Sequence, residues 1–305
     1  MSDQKGIPVT EVTGNLDASA MGELLARDVA FGDIQLPGFP PVVLRIQQLL
    51  TDDRADVHDI VQAVSVDPAL SMLVLRMANS SAFNTTGLQV KDLRAAVQRI
   101  GTRMIRAAAL GLVVQVLRSA EEMRGLRDRL GSVWRRGISV GSLGKAIAER
   151  TGVAAADAGL LAGLLHVVGR LYVLARMRGM PHLLDQDGVA EKLMERWSGT
   201  VTGVMLLKWE VPREYCEAIE QFHDQNSIPA VKGPAGLGEI LAAAHLLADL
   251  LPPSRSDYLD QMQLAQVCQQ HEPLFARLGM SRESCSDAIH TALAEVQQLR
   301  ALFGA

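Results

Sequence analysis

Cysteine and excess positive charge are both scarce in this 305-residue chain, and each scarcity closes off a class of protein. The three cysteines, Cys216, Cys268 and Cys285, form neither a CxxC pair nor an even-numbered framework. That argues against a disulfide scaffold or a zinc ribbon and leaves reduced, mostly structural thiols. Thirty Lys and Arg against 34 Asp and Glu give a net charge of −4, so no general attraction to nucleic acid or an anionic membrane is expected. No uncharged apolar run reaches about 18 residues, and the opening MSDQKGIPVT has neither the basic start nor the apolar run of a secretory signal. A cytoplasmic protein with no membrane partner is expected. Stretches that alternate β-branched with polar residues are absent, as are glycine-rich phosphate loops, nucleophile elbows and dinucleotide fingerprints.

What is present is helical pattern on a chain of 48% hydrophobic composition, enough to bury a sizeable core in two domains or subdomains. Residues 1–30 read as an extension with a brief helix over Ala18–Val29. The run Leu36–Pro41 forces extended and turn geometry, after which Val42, Val43, Ile46, Leu49 and Leu50 share one helix face. Asp56 with Asp59 has capping-box-like spacing, and Asp67-Pro68 offers a capping carboxylate followed by a proline at the first helical position. A polar corner from Asn79 to Asn84 ends that helix. Asn79 is expected to bond backbone groups at the turn, with Phe83 packing inward. Asp92 opens a helix that Gly101 stops, and Thr102 can cap the next.

Further helices are predicted over Val133–Ile147, Asp157–Arg176, Val189–Trp197, Thr200–Trp209, Pro212–His223, Leu237–Leu250, Tyr258–Gln270 and Ser281–Leu302. The fold class is all-α, divided into a helical subdomain over residues 31–125 and a second over 126–305, joined by the charged section Ser119–Gly131. Within Gly159–Leu174, Leu160, Leu161, Leu164, Leu165, Val168 and Leu171 recur at helical spacing and place His166 in the interior. A buried imidazole needs a hydrogen bond, a metal ion or a ligand. A satisfied core histidine is the simpler of these.

The segments LPGFPPVVLRIQQLL, DIVQAVSVDPALSMLVLRMANSSAF and DLRAAVQRIGTRMIRAAALGL resemble the HDOD domain, a regulatory offshoot of the HD metal-dependent phosphohydrolase superfamily found in bacterial signalling proteins. The resemblance runs through Trp134, the His166 segment and Trp209–Ile219, over about residues 31–228. It implies an N-terminal HDOD-type bundle, a C-terminal HD-like bundle, and a pocket formed by Arg136, His166, His223 and Asp249. Where HD enzymes carry "LLHDIGKL", this chain has LLHVVGRL, with Val167 at the aspartate position. Where the family's "WrHs" places a ligating histidine, it has Trp134-Arg135-Arg136-Gly137. Neither valine nor arginine can ligate a metal, and a guanidinium repels one.

The resemblance thus implies a degenerate pocket with no catalytic residue, metal or cofactor, in a regulatory module that binds a protein partner or small ligand and meets other signalling components in trans. Its interface is expected on a helical surface. Arg136 is expected beside His166, with Val167 filling the lost carboxylate's space, and Asp249, awkward near a helix C-terminus, either has a partner or is solvated. One alternative is a residual phosphohydrolase working with His166, His223 and Asp249. The other is a nucleic-acid-associated regulator using the arginines from Arg124 to Arg136, although these read more simply as a solvated face interleaved with Glu121, Glu122 and Asp128.

Overall fold

The computed structural model describes residues 9–32, 34, 41–50, 54–81, 83–84, 86–186, 188–223, 233–252 and 259–303. Among them all regular structure is helical, as the missing strand pattern requires. An N-terminal helix α1 (Val9–Phe31) precedes a bundle of α2 (Pro41–Leu49), α3 (Val57–Ser65), α4 (Pro68–Asn79) and α5 (Leu93–Ser119). A 3₁₀ turn, Glu121–Leu126, leads to α6 (Arg127–Thr151), α7 (Ala156–Leu165) and α8 (Val168–Arg176). Then come α9 (Val189–Lys208), α10 (Arg213–His223), α11 (Leu237–Leu247), α12 (Gln261–Gln270), α13 (Glu272–Arg277) and α14 (Arg282–Phe303).

The helix starts follow from local chemistry. Asp56 accepts from the backbone N–H groups of His58 at 2.7 Å and Asp59 at 3.0 Å, and the Asp59 carboxylate accepts from the Asp56 N–H at 3.0 Å. Asp67 caps α4 through the Leu70 N–H at 2.9 Å, and Asp92 caps α5 through the Ala95 N–H at 2.8 Å. Gly101, at φ 75°, breaks α5 where the sequence placed a stop. At the corner after α4, the Asn79 side chain donates to the carbonyls of Leu75 at 3.0 Å and Val90 at 2.8 Å, and accepts from the Val90 N–H at 2.7 Å. Phe83 packs against the core with the Lys145 ammonium 5.6 Å from its ring centroid.

Several boundaries differ from the sequence expectation. The segment Asp157–Arg176 is two helices, broken at His166 and Val167. Conversely, Val189–Trp197 and Thr200–Trp209 belong to one helix, α9, because Ser198 and Thr202 return their hydroxyls to the carbonyls of Met194 and Ser198 and need no break. Helix α6 is longer than Val133–Ile147 and ends at Gly152, at φ 67°. The helix expected at Ala18–Val29 is the longer α1, tied to α8 by Asp28, which accepts from the Tyr172 hydroxyl at 2.8 Å and Arg176 at 3.2 Å. Leu36–Pro40, Tyr258 and the loop at residues 228–232 lie outside the described residues.

The centre of the molecule is the contact of α6 with α7. A Cβ on Gly163 would lie 2.3 Å from the Gly141 Cα, and one on Gly159 would lie 2.3 Å from the Gly144 carbonyl oxygen, so the two backbones touch. The apolar segments Leu93–Ser119 and Ala156–Gly179 are each long enough to span a bilayer, but most of their residues are buried inside the protein. Helix α14 folds back on the N-terminal bundle: Phe303 fills the space beside Gly111 and meets Trp134 edge-on at 5.5 Å.

Two substitutions test this account by denaturant unfolding. Asn79→Ala removes three hydrogen bonds and should cost about 2 kcal/mol. Gly163→Ala forces the two backbones apart and should cost about 3 kcal/mol, the upper end for overpacking; a loss below about 0.5 kcal/mol would show that the contact can relax freely.

Candidate functional site

Four elements converge on the region that the sequence singled out. Helix α6 brings Arg136, the α7–α8 break brings His166, the end of α10 brings Phe222 and His223, and α11 with its 3₁₀ extension Ala248–Leu250 brings His245 and Asp249. Asp224, next to His223, lies outside the described residues.

His166 is 2% exposed, and its Nδ1 donates to the Gly163 carbonyl at 2.6 Å. That carbonyl is in the last turn of α7, so the imidazole caps its own helix and helps to end it there. With Nδ1 protonated in the neutral ring, Nε2 is the lone-pair acceptor. Burial above all, joined by His245, holds His166 well below the ordinary histidine pKa. Burial, then the nearby Arg170 charge, pushes His223 down to about 4. Burial, then Arg136, pushes His245 down to about 4. All three rings are neutral at pH 7.

The rings do not face a common point. Phe222 stands among them, with its centroid 5.6 Å from His166, 4.9 Å from His245 and 5.1 Å from His223. His166 and His245 meet edge-on at 5.8 Å. His223 Nε2 and His245 Nδ1 are buried without a hydrogen-bond partner among the described residues.

Arg136 is held firmly. Its guanidinium grips both Asp249 carboxylate oxygens, one through a short contact and the other at 3.0 Å, and donates to the His245 carbonyl at 2.8 Å. It thereby supplies cationic donors to the C-terminal end of α11, where Asp249 by itself would be repelled. Val167 is fully buried, and one of its methyl groups lies 2.8 Å from where a Cβ on Gly137 would be. The structure thus brings Arg136, His166, His223, His245 and Asp249 into one neighbourhood. Sequence reasoning gave no role to His245 or Phe222; the signal for Phe222 was its place beside His223 at a helix end.

This donor set does not fit a divalent metal. Among the described residues no three His, Cys, Asp or Glu side chains are placed to share an ion. The one carboxylate in the cluster is engaged by Arg136, whose charge opposes a cation.

A model of the HDOD domain matches residues 36–225, more than half the chain. The chain belongs to the HDOD family. Its fold is shared with an HDOD domain protein of unknown function from Geobacter sulfurreducens, at TM-score 0.62 and 21% identity over 92% of this chain and 97% of that one. It is shared equally with a protein from Shewanella amazonensis, provisionally named a metal-dependent phosphohydrolase, at TM-score 0.64 and 21% identity over 91% and 99% of the two chains. A third is a protein from Marinobacter aquaeolei, provisionally named a signal transduction protein, at TM-score 0.60 and 20% identity over 94% of this chain and 66% of that one. An uncharacterised protein of Treponema pallidum is 23% identical over 234 residues, which are 72% of this HDOD chain and 43% of that protein. The chain therefore spans less than half the length of that curated relative.

The buried neutral histidines give this HDOD protein a defined pH response. Their folded-state pKa values lie below the unfolded value near 6.5, so below pH 6.5 the unfolded chain binds protons that the native cluster resists. Stability is complete above about pH 6.5 and falls as the pH drops towards about 4. Replacing His223 and His245 with glutamine should flatten unfolding curves measured across this window; an unchanged slope would show that the two rings are solvated.

Proposed function

We propose that this HDOD chain is a non-catalytic regulatory module of bacterial signal transduction, working in the cytoplasm through a protein partner or small ligand. The observation that carries this reading is the Arg136–Asp249 pair, beside three histidines that each pack against Phe222. A phosphohydrolase of the HD type needs several anionic or imidazole donors around an ion, with one open position for an activated water. By the family resemblance a guanidinium and a valine stand at two of the expected ligand positions, and Phe222 packs against all three histidines. The name of the Marinobacter relative points towards signalling, and that of the Shewanella relative towards the hydrolase alternative.

Within the arginine-rich section several guanidinium groups already have partners in the chain, which leaves fewer donors for a nucleic acid. Arg124 pairs with Glu121, Arg127 donates to the Arg118 carbonyl at 2.9 Å, and Arg129 donates to the Leu184 carbonyl at 2.7 Å. A protein partner has apolar side chains to meet: Val66, Met72 and Leu88 are exposed on the N-terminal bundle.

Elemental analysis with a turnover assay tests the proposal. The purified protein should hold well under one equivalent of zinc, manganese, iron or nickel, and should cleave neither phosphodiesters nor phosphomonoesters when metal is added. One equivalent of tightly held metal, lost on His166→Ala, would overturn the non-catalytic reading.

A further inference from the structure

A second cavity, sharing no residue with the histidine cluster, lies where the N-terminal bundle meets the rest of the protein. It has a volume of about 180 Å³ and is walled by Thr102, Arg103 and Arg106 of α5, Leu161 of α7, and Glu214 and Tyr215 of α10. Arg106 is 4% exposed and Tyr215 1%, and among the described residues neither the buried Arg106 Nη1 nor the Tyr215 hydroxyl has a hydrogen-bond partner. The nearby acids leave Arg106 unsatisfied. Asp157 is taken by Arg103 at 2.9 Å, and Glu214 is exposed to solvent at the rim.

Arg106 lacks the kind of partner that the buried carboxylates among the described residues have. Each buried carboxylate finds a cation or a hydroxyl: Glu239, 2% exposed, pairs with Arg277 at 2.6 Å, and Asp28 accepts from Tyr172 and Arg176. An unpaired buried charge is costly, and a guanidinium does not escape the cost by losing its proton. Burial pushes the Tyr215 phenol up to about 12, so it stays a donor at physiological pH. Arg106 and Tyr215 both line this cavity, whose volume suits a small polyatomic anion but not a nucleotide.

We propose that this cavity is a binding site for a small oxyanion, a carboxylate or phosphate group, held by the Arg106 guanidinium and the Tyr215 hydroxyl. A planar guanidinium suits two oxygens of either group. Occupancy would bridge α5 to α10, so the ligand would report on the joint between the two halves of the chain. The site stands whether or not the regulatory reading holds, since it rests on none of the same residues.

Thermal melts and calorimetry on the full chain test this with sodium phosphate and sodium succinate, against sodium chloride at matched ionic strength. At least one of the two oxyanions should raise the Tm of the native protein saturably above the chloride control, and which one does so tells phosphate from carboxylate. Arg106→Met should abolish that rise while its anion-free Tm is no lower than that of the native chain, since the substitution removes an unpaired buried charge. Tyr215→Phe keeps the ring and should weaken anion affinity about tenfold; it also serves if Arg106→Met does not fold. The proposal fails if neither oxyanion acts beyond chloride, if Arg106→Met responds like the native protein, or if Tyr215→Phe leaves the affinity unchanged.

Discussion

The direct contact between the backbones of α6 and α7 is the constraint on which the rest depends. Glycine at 141 and 144 on one helix, and at 159 and 163 on the other, lets the two approach until a single methyl group would collide with main-chain atoms. Glycine inside a helix costs roughly 0.5–1 kcal/mol each against alanine, so the closeness must be repaid by dense packing along the seam. The seam also sets the geometry of the site. Arg136 precedes Gly137, which faces Val167, and His166 follows Gly163 by three residues, so one contact positions both the guanidinium and the imidazole.

From that fixed pair, the polar groups settle by charge pairing, helix-end chemistry and, for the histidines, neutrality. Arg136 reaches α11 and neutralises Asp249 while donating to the His245 carbonyl, so the cation closes the helix end and is neutralised in turn. The histidines avoid charge by staying unprotonated, and Phe222 fills the space among them with apolar volume. The polar groups of this cluster thus pair with or pack against one another. The cost is small but visible in the unpartnered ring nitrogens of His223 and His245.

The sequence revealed most where the signal was local. Asp56, Asp67 and Asp92 announce helix starts because a carboxylate can satisfy free N–H groups one turn ahead, and Gly101 announces a break because only a positive φ fits there. Asn79 was readable for the same reason. The resemblance named Arg136, His166, His223 and Asp249, whereas the awkward place of Asp249 at a helix end left a partner and a solvated carboxylate equally open. Features that depend on what lies across the fold were not legible. Leucine spacing continues straight through His166, so periodicity alone joins α7 to α8, and only the bond from the imidazole to Gly163 shows why the chain turns. Ser198 and Thr202 looked like a break because their internal bonds to α9 carbonyls cannot be seen in a linear string. Phe222, the Gly163–Gly141 contact and the Arg106 cavity each join residues more than twenty positions apart, beyond the reach of any helical period.

Arg106 and Arg136 show how one side chain takes opposite roles according to its surroundings. Arg136 has a carboxylate and a carbonyl and is structurally spent; Arg106 has neither, although it is the more deeply buried of the two. The two are connected through α7. Leu161 lines the Arg106 cavity and His166 ends the same helix five residues later, roughly 7.5 Å along its axis. Because α7 is seated against α6 with backbone touching backbone, it cannot bend between those points without opening the seam.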